Sequence, residues 1–99
     1  MTGDRDGPAG LTSASWHRVP SVLWRHVFDG ILALPVGAEE PLALSGAAAL
    51  VWELLDRPGD LGQLESRART QHPDLPPEGR SILADALTLL AASDLVEPR

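Results

Sequence analysis

Three histidines, His17, His26 and His72, are the only side chains of this 99-residue chain that ordinarily change charge near neutral pH. Their spacing builds no recognisable centre. His17 and His26 fall in apolar, strand-like segments, His72 opens a His-Pro-Asp-Leu-Pro run that reads as a loop, and no HExxH or paired-histidine pattern occurs. Cysteine is absent, which excludes disulfides, thiolate metal sites and a cysteine nucleophile. Glu39 and Glu40 are adjacent, and neighbours on a strand or turn point apart instead of converging on one substrate. Asp29 reads as a turn residue. Ser45 stands in Leu44-Ser45-Gly46-Ala47, which lacks the leading glycine of a nucleophile elbow and has no evident base nearby. No glycine-rich phosphate loop is present. No catalytic residue and no metal ligand is therefore assigned, and the chain is not expected to be an enzyme.

The stretch that must position any site is Pro41–Asp56. It reads as a short apolar strand running into an amphipathic helix. Ser45 suits the N-cap, where a hydroxyl can accept from the free amides of the first turn. Ala48, Val51, Trp52 and Leu55 then recur on one helical face, and Asp56-Arg57-Pro58-Gly59 stops the helix.

Upstream, residues 1–15 are polar and rich in small residues and are expected to form a disordered tail, with one domain over 16–99. Trp16 to Pro20 reads as an extended piece broken by Pro20. Val22–Phe28 is rich in β-branched and aromatic residues, and Ile31–Val36 follows after Asp29-Gly30. Asp-Gly between two apolar runs predicts a hairpin with a type I′ turn. Val22, Trp24, His26 and Phe28 share one strand face, Leu23, Arg25 and Val27 the other, and one of these faces is expected to be buried. Gly37–Glu40 predicts a second turn, and Pro41–Leu44 a third strand at an edge.

Downstream, Asp60 can cap a second helix whose apolar stripe is Leu61, Leu64 and Ala68, with Arg67 and Arg69 near its negative end. A third helix is predicted from about Pro77 to Ala92, closed by Leu95-Val96 as a short extended tail. From Ser81 to Ala92 only Ser81, Asp85 and Thr88 interrupt its apolar surface. That is far wider than the stripe of roughly 100° a one-sided helix needs. Either the domain buries it on two sides, or part of it waits for a partner.

The chain carries net charge −6 and no lysine, so its only fixed cations are eight arginines. No window is basic enough to displace counterions from phosphate, which argues against nucleic acid as a partner. No run of about 18 apolar residues exists to span a membrane, and the N-terminus does not read as a signal peptide. The expected location is cytoplasmic.

The predicted class is α+β and winged-helix-like: a three-stranded antiparallel sheet followed by three helices. Within it, Val22-Leu23-Trp24-Arg25, Asp29–Leu34, Leu42–Ala48, Val51–Asp56 and the closing Ala92-Ser93-Asp94-Leu95-Val96 together resemble the PqqD-like family. These are the RiPP recognition elements, or peptide chaperones, of ribosomal-peptide modification. The likeness covers about residues 20–97, and two positions depart from it: Asp94 stands for the usual glycine and Ser45 for the usual asparagine cap. The resemblance implies a protein without catalysis or cofactor. It would bind the leader segment of a precursor peptide as a strand beside the third strand and present it to a peptide-modifying enzyme or leader peptidase. Carried over by position, the groove would use Leu42, Ala43 and Leu44 with Ile82, Leu83, Ala86, Leu87 and Leu90, some of which must instead face the core. Arg80 and Asp85 would stand at the rim. The competing expectation is a winged-helix DNA-binding or regulatory domain, whose recognition helix should carry basic and polar residues.

Overall fold

The computed structural model describes residues 14–99. Its elements are β1 (Trp16–Arg18), β2 (Leu23–Val27), β3 (Gly30–Leu34), β4 (Leu42–Leu44), α1 (Gly46–Leu54), α2 (Leu61–Gln71), α3 (Gly79–Ala92) and β5 (Val96–Pro98). The class is α+β, with an antiparallel sheet in the order β2-β3-β4 followed by three helices. The expected tail lies outside the described residues except for Ala14, which packs against the core, and Ser15, whose carbonyl accepts from the Arg99 N–H at 2.8 Å.

The two extended ends meet. β1 pairs antiparallel with β5, with His17 opposite Glu97, and His17 Nε2 lies 2.9 Å from Glu97 Oε2. Trp16 also exchanges backbone hydrogen bonds with Gly59, at 2.8 and 3.0 Å, which fastens β1 to the loop after α1.

The β2–β3 turn differs from the type I′ expectation. Gly30 pairs with Val27, so the two turn residues are Phe28 and Asp29, and neither they nor Gly30 take a positive φ. Gly30 answers a different need: a Cβ there would collide with the Leu44 carbonyl oxygen of β4.

Strand alternation sorts the sheet into two faces. Trp24, Ala33 and Leu42 form one row, and His26, Ile31 and Leu44 the next, on the side that meets the helices. Ile31, Ala33 and Leu44 are buried there. Trp24 packs edge-on against Trp52 of α1, and the Arg18 guanidinium lies over both rings at 4.8 and 4.9 Å. Arg18 also donates to the Trp52 carbonyl through Nε and Nη2, at 2.9 and 2.6 Å. Its burial pulls the guanidinium below its ordinary pKa, and Asp56 and Glu53 pull it back. The other face, with Leu23, Arg25, Leu32, Leu34 and Ala43, is turned away from the helices.

Ser45 holds the N-cap position of α1, but its side chain makes no capping bond. The first helical residue, Gly46, has φ 57°, outside the helical range that brings early amides round to a cap hydroxyl. Ala48, Val51, Trp52 and Leu55 are buried as the spacing predicts. α2 has a complete capping box: Asp60 Oδ1 accepts from the Gln63 N–H and Gln63 Oε1 from the Asp60 N–H, both at 2.8 Å. Leu61, Leu64 and Ala68 face inward. α3 starts two residues later than Pro77. Pro77 stands in the turn that the Gly79 N–H closes on the Pro76 carbonyl at 2.8 Å. Leu83, Leu87 and Leu90 of α3 are fully buried against α1, α2 and Leu95.

Candidate functional site

Among the described residues β4 is an edge strand, paired only with β3. Because the β2–β3 ladder closes on a hydrogen-bonded Val27–Gly30 pair, the alternation of antiparallel bonding makes Ile31–Leu44 and Ala33–Leu42 the bonded pairs of the next ladder. Ala43 is then the residue whose N–H and C=O point away from the sheet. Pro41, of the same parity, contributes a carbonyl and no N–H. Among the described residues β2 is the sheet's other edge, and there the Arg18 guanidinium lies over the Trp24 ring at 4.8 Å.

Beyond β4 the chain turns at Ser45 into α1, and an open groove of ≈ 370 Å³ lies between the start of α1 and α3. Ala47, Ala48 and Ala86 give it a shallow floor. Ile82 and Leu89 stand in it 39% and 56% exposed, a large amount of apolar surface for one helix to leave in water. Asp85 sits between them and Ser45 closes the strand end. Small residues make this space: larger side chains at Ala47, Ala48 or Ala86 would fill it.

The sequence-derived site residues separate into two sets. Ala43, Leu42, Ile82 and Ala86 lie at the open edge or in the groove; Ala86 is nearly covered but lines its floor. Leu83, Leu87 and Leu90 are turned fully into the core, and Leu44 is buried on the inner side of β4, so these four cannot meet a ligand. Leu83, Leu87 and Leu90 occupy the α3 stripe that α1, α2 and β5 cover. Arg80 is not at the groove rim. Its Nε donates to Glu65 Oε1 at 2.9 Å, which draws it onto α2. The same carboxylate accepts from Arg69 at 2.9 Å, and these two partners hold Glu65 below its ordinary pKa. Leu89, which the positional carry-over omitted, stands seven residues after Ile82 and so on the same α3 stripe; that spacing was the signal for it.

Other depressions open at the surface of the described residues. One, ≈ 250 Å³, lies on the outer sheet face among Leu23, Arg25, Leu32, Leu34 and Pro41. Another, ≈ 370 Å³, lies among Arg57, Gln63, Ser66, Arg67 and Thr70. Neither adjoins an unpaired strand edge with an apolar helix beside it. Among the described residues no group of three His, Cys, Asp or Glu could hold a metal ion, and no helix is long and apolar enough to cross a membrane. No family model, curated protein or solved structure matches this chain.

Proposed function

We propose that this chain is a non-catalytic recognition module that captures the leader segment of a ribosomally made precursor peptide as an added strand on β4 and presents it to a modifying enzyme or leader peptidase. The observation that carries the reading is an open β4 edge whose next residue, Ser45, lines the apolar groove against α3. An extended peptide on that edge bonds to the Ala43 main chain, and its alternate side chains fall toward Ile82 and Leu89. The resemblance to PqqD-like proteins supports the same assignment. The winged-helix DNA-binding alternative has less to stand on. The exposed stripe of α3 presents Ile82, Asp85 and Leu89, and its arginine is engaged by Glu65, so phosphate would meet an acid there.

Ala43→Pro tests the reading, because it removes the outward N–H and leaves the bonds of Leu42 and Leu44 to β3. With a synthetic leader peptide from a neighbouring precursor gene, amide shifts should concentrate at residues 41–45 and 82–89. Ala43→Pro should weaken binding by about tenfold, as loss of a main-chain bond and a steric block require. Should the proline disturb folding, a peptide N-methylated at single amides probes the same bonds from the other side. Unchanged affinity in a folded Ala43→Pro variant, together with indifference to N-methylation, would leave α3 alone as the contact and overturn strand addition.

A further inference from the structure

We infer that the groove selects a cationic and apolar strand: a segment with a lysine or arginine over Asp85 and a large apolar residue two positions away. This deepens the proposed function and rests on it. Asp85 is exposed in a lining whose one other polar side chain is Ser45, and its carboxylate forms no hydrogen bond or ion pair among the described residues. The arginine nearest it along α3, Arg80, is held by Glu65 and does not compensate it. A neutral strand laid across the groove would strip water from this carboxylate and return nothing, whereas a cation replaces the lost hydration.

Spacing agrees. Asp85 and Leu89 are four helical residues apart, about 6 Å along the axis. Alternate side chains of a strand are about 6.7 Å apart. A strand running along α3 can therefore set a cation on Asp85 and its second neighbour on Leu89.

The surroundings point the same way. Glu39 and Glu40 are exposed immediately before β4, and the chain as a whole carries −6 with no lysine. This field draws in cationic peptides and repels acidic ones, nucleic acid and a second copy of the chain.

The test uses three labelled heptapeptides, Ac-TLTKTLT-NH2 and its forms with glutamine or glutamate in place of the central lysine. Each presents the central residue and both leucines on one face of a strand. Binding to the full chain by fluorescence anisotropy near physiological salt should rank lysine over glutamine by about threefold. Lysine should exceed glutamate by about tenfold. Asp85→Asn should collapse the ranking to within about twofold. Asp74→Asn, an equal charge change in the loop before α3, should leave it intact. A ranking that survives Asp85→Asn, or equal affinity of all three peptides for wild type, overturns the charge selection while strand capture stands. Failure of all three to bind, or amide shifts away from β4 and α3, overturns both.

Discussion

Arg67 holds together a part of the molecule that has no regular structure. Its Nη1 donates to the carbonyls of Leu54 and Arg57, at 2.9 and 3.0 Å, and its Nη2 to that of Pro58 at 2.8 Å. The end of α1 and the loop behind it thus find partners that backbone geometry alone does not supply. Lysine keeps the charge but cannot fork to three carbonyls. Arg67→Ala should cost about 2 kcal/mol and Arg67→Lys about 1 kcal/mol in urea unfolding. Asp94 is a second residue with a nonlocal burden. It ends α3 at φ 61°, with its N–H on the Ala91 carbonyl at 3.1 Å and the Leu95 N–H on the Leu90 carbonyl at 3.0 Å. That is a Schellman closure, sealed by contact between buried Leu90 and Leu95. An L-residue with a Cβ is strained there, so Asp94→Gly should raise stability by about 1 kcal/mol in the same measurement.

At the level of elements, α3 is the one that faces two ways. Leu87→Ala should cost about 2–5 kcal/mol, the price of a core cavity. Leu89→Ala should change stability by less than about 0.5 kcal/mol, yet weaken peptide binding. The two variants, compared by thermal unfolding and by titration, separate the packing face from the binding face. α3 is also tied to α2 through Glu65, which takes Arg69 from its own helix and Arg80 from α3. Because those partners lower its pKa, the folded state holds the Glu65 proton less tightly than the unfolded chain does. Its contribution is therefore complete above the unfolded carboxylate's titration range and is lost as pH falls through the lower, folded value. Glu65→Gln should flatten the fall of stability on acidification below that range, as followed by urea midpoints across pH. Glu65 is partly exposed, so the change in slope should be modest.

For the whole molecule, the ends of the described chain are structural. Leu95 and Val96 are buried, and β5 holds β1, which in turn is bonded to the loop after α1. Removing residues 95–99 deletes two buried side chains worth about 3–6 kcal/mol together. The stability of a small domain is roughly 5–15 kcal/mol. The truncated chain should therefore lose most of its cooperative unfolding transition by circular dichroism. Peptide binding should also be salt-dependent in its association rate, because a net charge of −6 acts at a distance.

The amino-acid order alone determined what local periodicity and local chemistry control. The α1 stripe of Ala48, Val51, Trp52 and Leu55, the Asp60 cap of α2, and the sheet-then-helices order all follow from spacing within a single element, where every interaction is between near neighbours in sequence. The hairpin was legible but its turn was not, because Gly30 answers to a β4 carbonyl fourteen residues downstream and not to the turn itself. The pairing of β1 with β5 was invisible for a similar reason: two three-residue strands carry almost no pattern, and only closure of the core brings them together. Half of the candidate site was decided in the same way. Periodicity marked α3 as apolar nearly all round, but it took α1, α2 and β5 to choose Leu83, Leu87 and Leu90 for the interior and leave Ile82, Asp85 and Leu89 to face the groove.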